Sequence, residues 1–461
     1  MLKALRREPG FYRRLLALAL PLILQNLITT SLGFVDTFMV GLVGSNELSA
    51  VTAANTPIFL VQVTIFGLMS GLTVLASQYW GQHDTESINR CMGVVMYIGL
   101  AISVTAASLL FFCPTQIMGI VTDNPLLIEL GAPYLRIVGI SYVFNSVSSV
   151  YVSMQRSTEN PIFGMLVFGA SMLANTVLNY ILIFGKLDFP AMGITGAAIA
   201  TLLSRVLEFL IVLVYALRCR RIPLAPAALL RPGMTTLRNT LKYSGPVLIN
   251  EFLWSLGAST LTAIMGHMTI SADMLAAHAI MGNIDKFSTV ACFGLAGAAS
   301  VMVGKRIGEG AGKEEVYQLG LCLLGVSLLL GAFVSAALAI LLPTLFIPVL
   351  YPLFQLSPTA TSAAITLCIG YLASMPLRAF DITNIIGLMR AGGDTRMAAI
   401  LDIFPVYLFS IPLAALFGLV LDAPLYLVCI STQIESFIKA PVSVIRLRSR
   451  KWINDVTTRR D

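Results

Sequence analysis

Residues 15–43 form the apolar run LLALALPLILQNLITTSLGFVDTFMVGLV, in which Asp36 is the single charged residue. A helix needs about 20 apolar residues to cross a bilayer, so this run is long enough to span one. Basic residues precede the run, as in a secretory signal peptide, but it is too long for a signal core and no small-residue cleavage site follows it. We therefore interpret it as a retained first transmembrane helix.

The composition of the whole chain matches this first segment. Its 461 residues are 57% hydrophobic and 11% charged, whereas soluble domains carry about 25% charged residues. Because this number of charges cannot cover a water-exposed globule, the composition excludes a soluble enzyme. It indicates a surface that faces lipid. The seven cysteines show no C-x-x-C spacing, which argues against a disulfide framework and a zinc site.

Apolar runs of similar length recur along the chain. Cutting the sequence at polar and Gly/Pro-rich breaks predicts twelve spans, at residues 15–42, 48–78, 91–113, 127–154, 161–184, 193–217, 244–268, 275–303, 316–341, 364–389, 397–420 and 424–445. The expected fold class is therefore an all-α membrane protein with twelve transmembrane helices.

The basic residues indicate the orientation of these spans. They cluster before the first span, in a central linker and after the last span, and shorter clusters lie near Arg90, Arg156, Lys305 and Arg390. With the N-terminus inside, all of these fall on the cytoplasmic side, and among the outside loops Lys186 alone is basic. We expect a multi-pass protein of a bacterial cytoplasmic (inner) membrane with both termini cytoplasmic.

The two halves of the sequence resemble each other. Three residues recur at an offset of 225, as the pairs Pro21 and Pro246, Thr37 and Thr262, and Gly41 and Gly266. The triplet Phe66-Gly67-Leu68 recurs as Phe293-Gly294-Leu295 at an offset of 227. Such a duplication predicts two six-helix lobes related by a pseudo-two-fold axis along the membrane normal, an arrangement suited to alternating access around a central cavity.

The duplication also predicts the domain boundaries. We expect an N-lobe at 1–217, a basic cytoplasmic linker at 218–243, a C-lobe at 244–445 and a basic cytoplasmic tail at 446–461.

Charged residues inside spans are costly unless they are paired, neutral or hydrated, so they are candidates for function. Three pairs have helical i,i+3 or i,i+4 spacing and can neutralise each other locally, namely Arg205/Glu208, Arg378/Asp381 and Glu435/Lys439. Asp36 has no basic residue within two helical turns, so desolvation favours its protonated form and a bound cation its ionised form.

Glu251 follows Pro246, which removes a backbone hydrogen bond from the seventh span. A carboxylate beside the freed carbonyls is a plausible cation site, although a hydrated Glu near the cytoplasmic end is an equal alternative.

Sequence motifs of enzymes are missing. The chain contains no H-E-x-x-H, G-x-S-x-G or Walker lysine motif, and His83, His267 and His278 are too scattered for a metal centre. We expect neither catalysis nor a cofactor, so the energy for transport must come from an ion gradient or from the substrate itself.

Several motifs, taken in order, resemble the multidrug and toxic compound extrusion (MATE) family over essentially the whole chain. They are Pro21-Leu22-Ile23-Leu24-Gln25, Val35-Asp36-Thr37-Phe38-Met39-Val40-Gly41, Glu47-Leu48-Ser49-Ala50-Val51, Asn175-Thr176-Val177-Leu178-Asn179-Tyr180, Gly196-Ala197-Ala198-Ile199-Ala200-Thr201 and Met389-Arg390-Ala391-Gly392-Gly393-Asp394-Thr395-Arg396. The resemblance implies a two-lobed antiporter that expels organic, often cationic, compounds in exchange for sodium ions or protons.

The resemblance also implies an ion-coupling site at Asp36, Asn175, Asn179 and Thr201. Many relatives have an Asp where this chain has Asn179, so one carboxylate is missing here. A single carboxylate should hold sodium more weakly than two, which favours proton coupling.

In the C-lobe, relatives often use a Glu on the seventh span and an Asp on the tenth. Glu251 and Asp381 lie near those positions and are the second-lobe candidates. Gln25 and Asn250 are candidates for the substrate cavity.

The sequence therefore predicts a secondary-active multidrug efflux antiporter coupled to H+ or Na+. The alternative is a lipid-linked saccharide flippase of the same superfamily, for which Arg136, Arg205 and Arg378 would supply basic groups for a pyrophosphate. Expected partners are small organic molecules and the lipid bilayer, with no nucleic acid, and we expect a monomer.

Overall fold

The computed structural model describes residues 5–268, 271–353, 356–421, 423 and 425–457. Most of these residues are helical and none of them lies in a β-strand, so the predicted all-α class is confirmed. Residues 1–4 of the predicted N-lobe and residues 458–461 of the predicted tail lie outside the described residues.

Within the described residues, twelve helices are long and apolar enough to cross a membrane, as predicted. In chain order they are α1 (Pro9–Gly41), α2 (Ser45–Gly81), α3 (Thr85–Phe112), α4 (Pro125–Ser157), α5 (Pro161–Phe184), α6 (Gly193–Arg218), α7 (Met234–Gly266), α8 (Asp273–Gly308), α9 (Lys313–Leu350), α10 (Pro358–Arg390), α11 (Thr395–Val420) and α12 (Tyr426–Arg448). Two short helices, Pro114–Val121 and Pro226–Leu230, lie between them.

Many large apolar side chains on these helices are exposed. Phe112, Leu173, Phe333 and Ile445 are each at least 70% exposed. A water-soluble protein would not present so many, whereas lipid chains solvate them without cost. The exposed surface thus agrees with the composition in requiring a bilayer.

Local signals explain several helix ends. The Asp84 carboxylate accepts a hydrogen bond of 2.9 Å from the Ser87 N–H at the start of α3, and the Ser357 hydroxyl accepts one of 3.0 Å from the Ala360 N–H at the start of α10. The helix α7 begins at Met234, well before the predicted residue 244. Its first turns contain polar residues of the basic linker, which an apolar-run criterion does not detect.

The chain divides into two compact units. The N-unit is Leu24–Leu248, and the C-unit is Met1–Ile23 together with Ile249–Asp461. Both divisions fall inside helices, α1 and α7. The boundary at 244 expected from the sequence also falls inside α7, and the one at 217 lies one residue before the end of α6. Those lobe boundaries stay a prediction.

The two units have the same internal plan. In the N-unit, α4 packs against α2, α3, α5 and α6, and in the C-unit, α10 packs against α8, α9, α11 and α12. Each of these central helices is the fourth of its half. An equivalent helix in an equivalent position is what an internal duplication predicts.

The repeated Phe-Gly-Leu triplets have a packing explanation. A Cβ atom at Gly67 of α2 would lie 3.0 Å from the Leu248 Cα of α7, and one at Gly294 of α8 would lie 2.8 Å from the Ile23 backbone nitrogen of α1. Both distances are shorter than the ordinary contacts that a Cβ atom makes with other heavy atoms. Glycine at these two positions therefore lets a neighbouring helix approach closely in each unit. Gly71, one turn after Gly67, has the same role against Ser244, whose Cα would lie 2.6 Å from an added Cβ.

Several helices of the C-unit contain π-helical segments. They are Leu342–Leu350 in α9, Thr383–Arg390 in α10, and Val406–Ser410 and Leu416–Val420 in α11. The wider turn of a π-helix is often found at functional sites because it turns side chains away from the regular helical positions.

The segment after α12 folds back on the C-unit. Trp452 is fully buried, its Nε1 donates to the Leu447 carbonyl at 3.1 Å, and its indole ring fills the space beside Gly320 and Gly392. The backbone N–H of Asn454 donates to the Gly392 carbonyl at 2.9 Å. The described part of the predicted basic tail is thus anchored by an aromatic side chain and backbone hydrogen bonds.

Cys219 lies at the end of α6, outside the membrane-spanning helix. Partial burial raises the pKa of its thiol, but hydrogen bonds from the backbone N–H groups of Ile222 and Arg221 and from the Gln155 side chain outweigh that effect. The pKa of Cys219 is therefore below its ordinary value.

Candidate functional site

The structure brings together the four ion-coupling candidates of the N-unit from α1, α5 and α6. The Asn179 Nδ2 donates to the Asp36 Oδ1 at 2.5 Å and to the Asn175 Oδ1 at 2.9 Å. The Asn175 Nδ2 lies 3.5 Å from the Thr201 Oγ1 and 3.5 Å from the Ser204 Oγ. Asp36, Asn175, Asn179 and Thr201 therefore form one continuous polar cluster, which Ser204 extends.

The Asn179 amide occupies the centre of this cluster. Its Nδ2 lies between two oxygens, of Asp36 and Asn175, while its Oδ1 is buried and has no hydrogen-bond partner among the described residues. Rotating the amide by half a turn would direct Oδ1 towards the other two oxygens. Three convergent oxygens with one negative charge would suit a monovalent cation, so the residues present fit a proton or a sodium ion.

A buried ion pair lies on α6, close in sequence to Thr201. The Arg205 Nη1 lies 2.7 Å from the Glu208 Oε2, as the i,i+3 spacing predicts, and Glu208 is fully buried. The Asn145 Nδ2 donates to the other oxygen, Glu208 Oε1, at 3.3 Å. Since this pair is neutral overall, Asp36 contributes the unbalanced negative charge of the cluster.

A second charged cluster lies in the C-unit, where α7, α10, α11 and α12 each contribute one charge. The Arg390 Nη2 lies 2.9 Å from the Glu251 Oε1, and the Lys439 Nζ lies 2.8 Å from the Asp402 Oδ1. The Asn250 Nδ2 donates to the Asp402 Oδ2 at 3.0 Å. We call Glu251, Arg390, Asp402 and Lys439 the C-unit charge cluster.

The observed contact of Glu251 is an ion pair, which was not among the two alternatives drawn from the sequence, a hydrated side chain or a carboxylate beside freed carbonyls. Glu251 pairs with Arg390, which is 3% exposed. The substrate-cavity candidate Asn250 is 1% exposed and its amide binds Asp402. Gln25, the other such candidate, is 8% exposed, and its Oε1 is buried without a hydrogen-bond partner among the described residues.

Two of the local ion pairs suggested by sequence spacing are wrong. The Arg378 guanidinium pairs with Asp285 of α8 at 2.9 Å, not with Asp381. Lys439 pairs with Asp402 of α11, not with Glu435. In both cases a carboxylate on a neighbouring helix is closer to the cation than the carboxylate on its own helix.

Asp381, a second-lobe candidate, lies apart from these pairs. It is 4% exposed, and both of its carboxylate oxygens are buried without a hydrogen-bond partner among the described residues. Thr383 and Asn384, at the start of the adjoining π-helical segment, also have buried side-chain atoms without partners.

Sequence reasoning did not identify Asp402, Arg390 and Lys439 as one cluster. Each was detectable as a charge in or near a span, but their pairing depends on which helices are neighbours, and spacing along one helix carries no such information. No group of three or more His, Cys, Asp or Glu side chains suited to a metal ion occurs among the described residues.

The flippase alternative requires basic groups free to bind a pyrophosphate. Arg205 and Arg378 are each held by a carboxylate, Glu208 and Asp285. Arg136 is exposed on the surface of α4. None of the three basic residues proposed for a flippase is thus presented as a buried, unpaired cation.

Comparison with known proteins identifies the family. The MatE family model matches residues 21–181 and 246–416, one match in each half of the chain. An uncharacterized transporter of Bacillus subtilis, YisQ, is 24% identical over 98% of this chain and 97% of its own length. The multidrug resistance protein PmpM of Pseudomonas aeruginosa is 25% identical over 88% of this chain and 84% of its own.

A solved structure supports the fold. The outward-facing conformation of a multidrug resistance MATE family transporter of the MOP superfamily superposes with a TM-score of 0.84, at 20% identity, over 97% of this chain and 98% of that one. Two family matches in tandem, relatives that cover nearly the whole chain, and a shared twelve-helix fold agree with one another. This chain belongs to the MatE family of multidrug efflux transporters.

Proposed function

We propose that this protein is an antiporter that exports organic, cationic or amphipathic compounds in exchange for protons by alternating access. The observation that carries the proposal is Asp36, a carboxylate bound by an amide donor of Asn179 rather than by a basic side chain. Such a group can accept one cation at a time, so a proton and a cationic substrate can compete for its charge.

Proton coupling is favoured over sodium coupling by the donor set. Asp36 is the one carboxylate in the cluster, and the donor of Asn179 stands between the oxygens that would have to coordinate sodium. A proton binds to one carboxylate oxygen and needs no further ligands. A sodium ion would first require the Asn179 amide to rotate.

The site of action follows from the same reasoning. We propose a bacterial cytoplasmic membrane with both termini on the cytoplasmic side, because the basic residues cluster in the segments that this orientation places inside. Protons then enter Asp36 from the outer side and leave it on the inner side.

The test is efflux from proteoliposomes under proton and sodium gradients imposed separately. We expect the wild-type protein to respond to the proton gradient. We expect Asp36→Asn to remain folded, because the Asn179 donor keeps an oxygen acceptor, but to lose gradient-driven efflux because residue 36 can no longer exchange a proton. Asp188→Asn, an exposed Asp after α5, is the matched control and should transport normally.

Two results would contradict the proposal. Efflux that depends strictly on sodium would exclude the proton as the coupling ion. Gradient-driven efflux that survives in Asp36→Asn would move the coupling role to another carboxylate.

A further inference from the structure

The C-unit holds one carboxyl group that its surroundings do not stabilise as an anion. Asp381 of α10 is 4% exposed, and neither of its oxygens accepts a hydrogen bond from the described residues. A buried carboxylate without donors costs several kcal/mol, whereas the neutral acid costs much less. The surroundings of Asp381 therefore favour the neutral carboxylic acid over the carboxylate.

Asp381 lies on α10, which packs against α11, the helix of Asp402, and against α12, the helix of Glu435 and Lys439. These three charges and Arg378 of α10 itself are the charged groups around Asp381. Both acidic neighbours oppose ionisation of Asp381, so ionisation requires a cation to move towards it.

Arg378 is poorly placed to move. Its guanidinium is bound to Asp285 at 2.9 Å and lies over the ring of Tyr371 at 4.7 Å. Arg390 is likewise held, by Glu251 at 2.9 Å. Lys439 differs because its charge is compact and sits on a flexible four-carbon chain.

Asp402, the present partner of Lys439, has other groups to bind. Its Oδ2 already accepts a hydrogen bond of 3.0 Å from Asn250 and lies 3.9 Å from the Arg390 Nη2, whereas Lys439 binds Oδ1 at 2.8 Å. If Lys439 leaves, Asp402 keeps a hydrogen-bond donor and a cation. The free-energy cost of removing Lys439 from Asp402 is thereby reduced.

We propose that Lys439 is a mobile internal counter-ion shared by Asp402 and Asp381. When the Asp381 carboxyl is protonated, the Lys439 ammonium binds Asp402, as observed. When the O–H bond of Asp381 breaks and the proton passes to water, the ammonium keeps its three protons and moves to the new carboxylate. Asp402 is then held by Asn250 and Arg390.

This inference rests on the proposed proton exchange and extends it to the C-unit. The internal ammonium takes the place that a metal ion would fill beside an ionised Asp381. Lys439 is thus a positioning residue, and the position of its ammonium reports whether Asp381 carries a proton.

The test is infrared spectroscopy of the purified protein in detergent, without substrate and without a gradient. The C=O stretch of a protonated carboxyl group is separate from that of a carboxylate, and Asp381→Asn identifies the band of Asp381. We expect this band in the wild-type protein and follow its loss as the pH is raised.

Two variants should move the titration in opposite directions. Lys439→Gln removes the counter-ion, so the midpoint should rise by about one to three pH units. Asp402→Asn removes the competing carboxylate and leaves Lys439 for Asp381, so the midpoint should fall by a similar amount. Lys286→Gln, an exposed lysine of α8, is the matched control and should leave the midpoint unchanged.

A purely structural ion pair gives a different result. Removing either member of a fixed Lys439–Asp402 pair would also shift the Asp381 midpoint, so the carboxylate band of Asp402, identified by Asp402→Asn, distinguishes the two cases. A mobile ammonium changes this band in the wild-type protein as Asp381 ionises, whereas a fixed ion pair leaves it unchanged, and this outcome overturns the proposal. Absence of an Asp381 band at every pH also overturns it. If Lys439→Gln does not fold, the Asp402 band of the wild-type protein decides.

The proposed function and this inference fail separately. Sodium-driven efflux would refute proton exchange without altering the spectra. Unchanged midpoints in the two variants would refute the counter-ion while leaving proton-driven efflux through Asp36 intact.

Discussion

Replacing Asn179 by Asp should make the N-unit cluster bind sodium. The substitution puts an oxygen where the Asn179 Nδ2 now lies, 2.5 Å from the Asp36 Oδ1 and 2.9 Å from the Asn175 Oδ1. Two carboxylates at 2.5 Å repel by about 7 kcal/mol at an effective dielectric constant of 20. Repulsion of that size is comparable to the stability of a whole domain. The pair must therefore share a proton or bind a cation.

Thermal unfolding in detergent shows whether the two carboxylates share a proton or bind a sodium ion. Sodium chloride is compared with choline chloride at the same ionic strength, at a pH high enough to remove a shared proton. A ligand at a hundredfold excess over its Kd stabilises the folded state by about 2.7 kcal/mol. We therefore expect the Tm of Asn179→Asp to rise by several degrees with sodium, and the Tm of the wild-type protein to be the same in both salts.

The double variant Asp36→Asn, Asn179→Asp is the control. It returns the cluster to a single carboxylate in the same positions, so the sodium effect should disappear. If Asn179→Asp folds and its Tm does not respond specifically to sodium, residue 179 does not determine the coupling ion and the electrostatic reasoning for Asp36 is refuted.

Three further predictions concern packing and topology. Gly71→Ala should lower the free energy of unfolding by about 1–3 kcal/mol, because its Cβ would clash with Ser244, whereas Gly99→Ala, with open space around it, should be neutral in the same denaturation assay. Trp452→Ala should cost about 3–5 kcal/mol by removing the buried anchor of the tail, measured as a lower Tm, and equal Tm values would show that the tail is not needed for stability. With the other cysteines replaced by serine, Cys219 should react with a membrane-impermeant thiol reagent in inverted vesicles and not in intact cells. Because its pKa is lowered, the thiolate forms at a lower pH than that of an ordinary thiol, so the labelling rate should rise at a lower pH than for an ordinary cysteine.

The membrane helices were predictable because a bilayer imposes a strong constraint on sequence. A spanning segment must be long, apolar and internally hydrogen-bonded. The twelve spans were therefore visible as apolar runs in the sequence. The ends of these helices were less predictable. The polar first turns of α7 before residue 244 have no apolar signal, because they lie in the part of the helix that precedes the apolar run.

Pairing between helices was only partly predictable. Arg205 and Glu208 are neighbours on one helix, and their spacing alone identified the pair. Lys439 has a carboxylate at the same kind of spacing, Glu435, but binds Asp402 on another helix. Spacing determines which side chains share a helix face, whereas the choice of partner depends on which helix packs against that face.

The repeated triplets carried more information than their count of matches suggests. Gly67 and Gly294 were aligned as a mark of duplication, and the structure gives both the same physical task, the close approach of a neighbouring helix. The π-helical segments of α9, α10 and α11 had no counterpart in the sequence analysis, since hydrophobic periodicity over a few residues does not separate π-helical from α-helical turns.

The C-unit charge cluster has an electrical consequence. Its two acids and two bases, Glu251, Asp402, Arg390 and Lys439, sum to zero. A membrane potential does about 2.3 kcal/mol of work per elementary charge per 100 mV, and the contributions cancel for a neutral group that moves as a unit. Displacing this cluster as a rigid unit is therefore electrically silent. Under the proposed function the current of a transport cycle depends on the proton exchanged at Asp36 and on the substrate, so exchange of one proton for a singly charged organic cation should carry no current, whereas export of an uncharged compound should carry one.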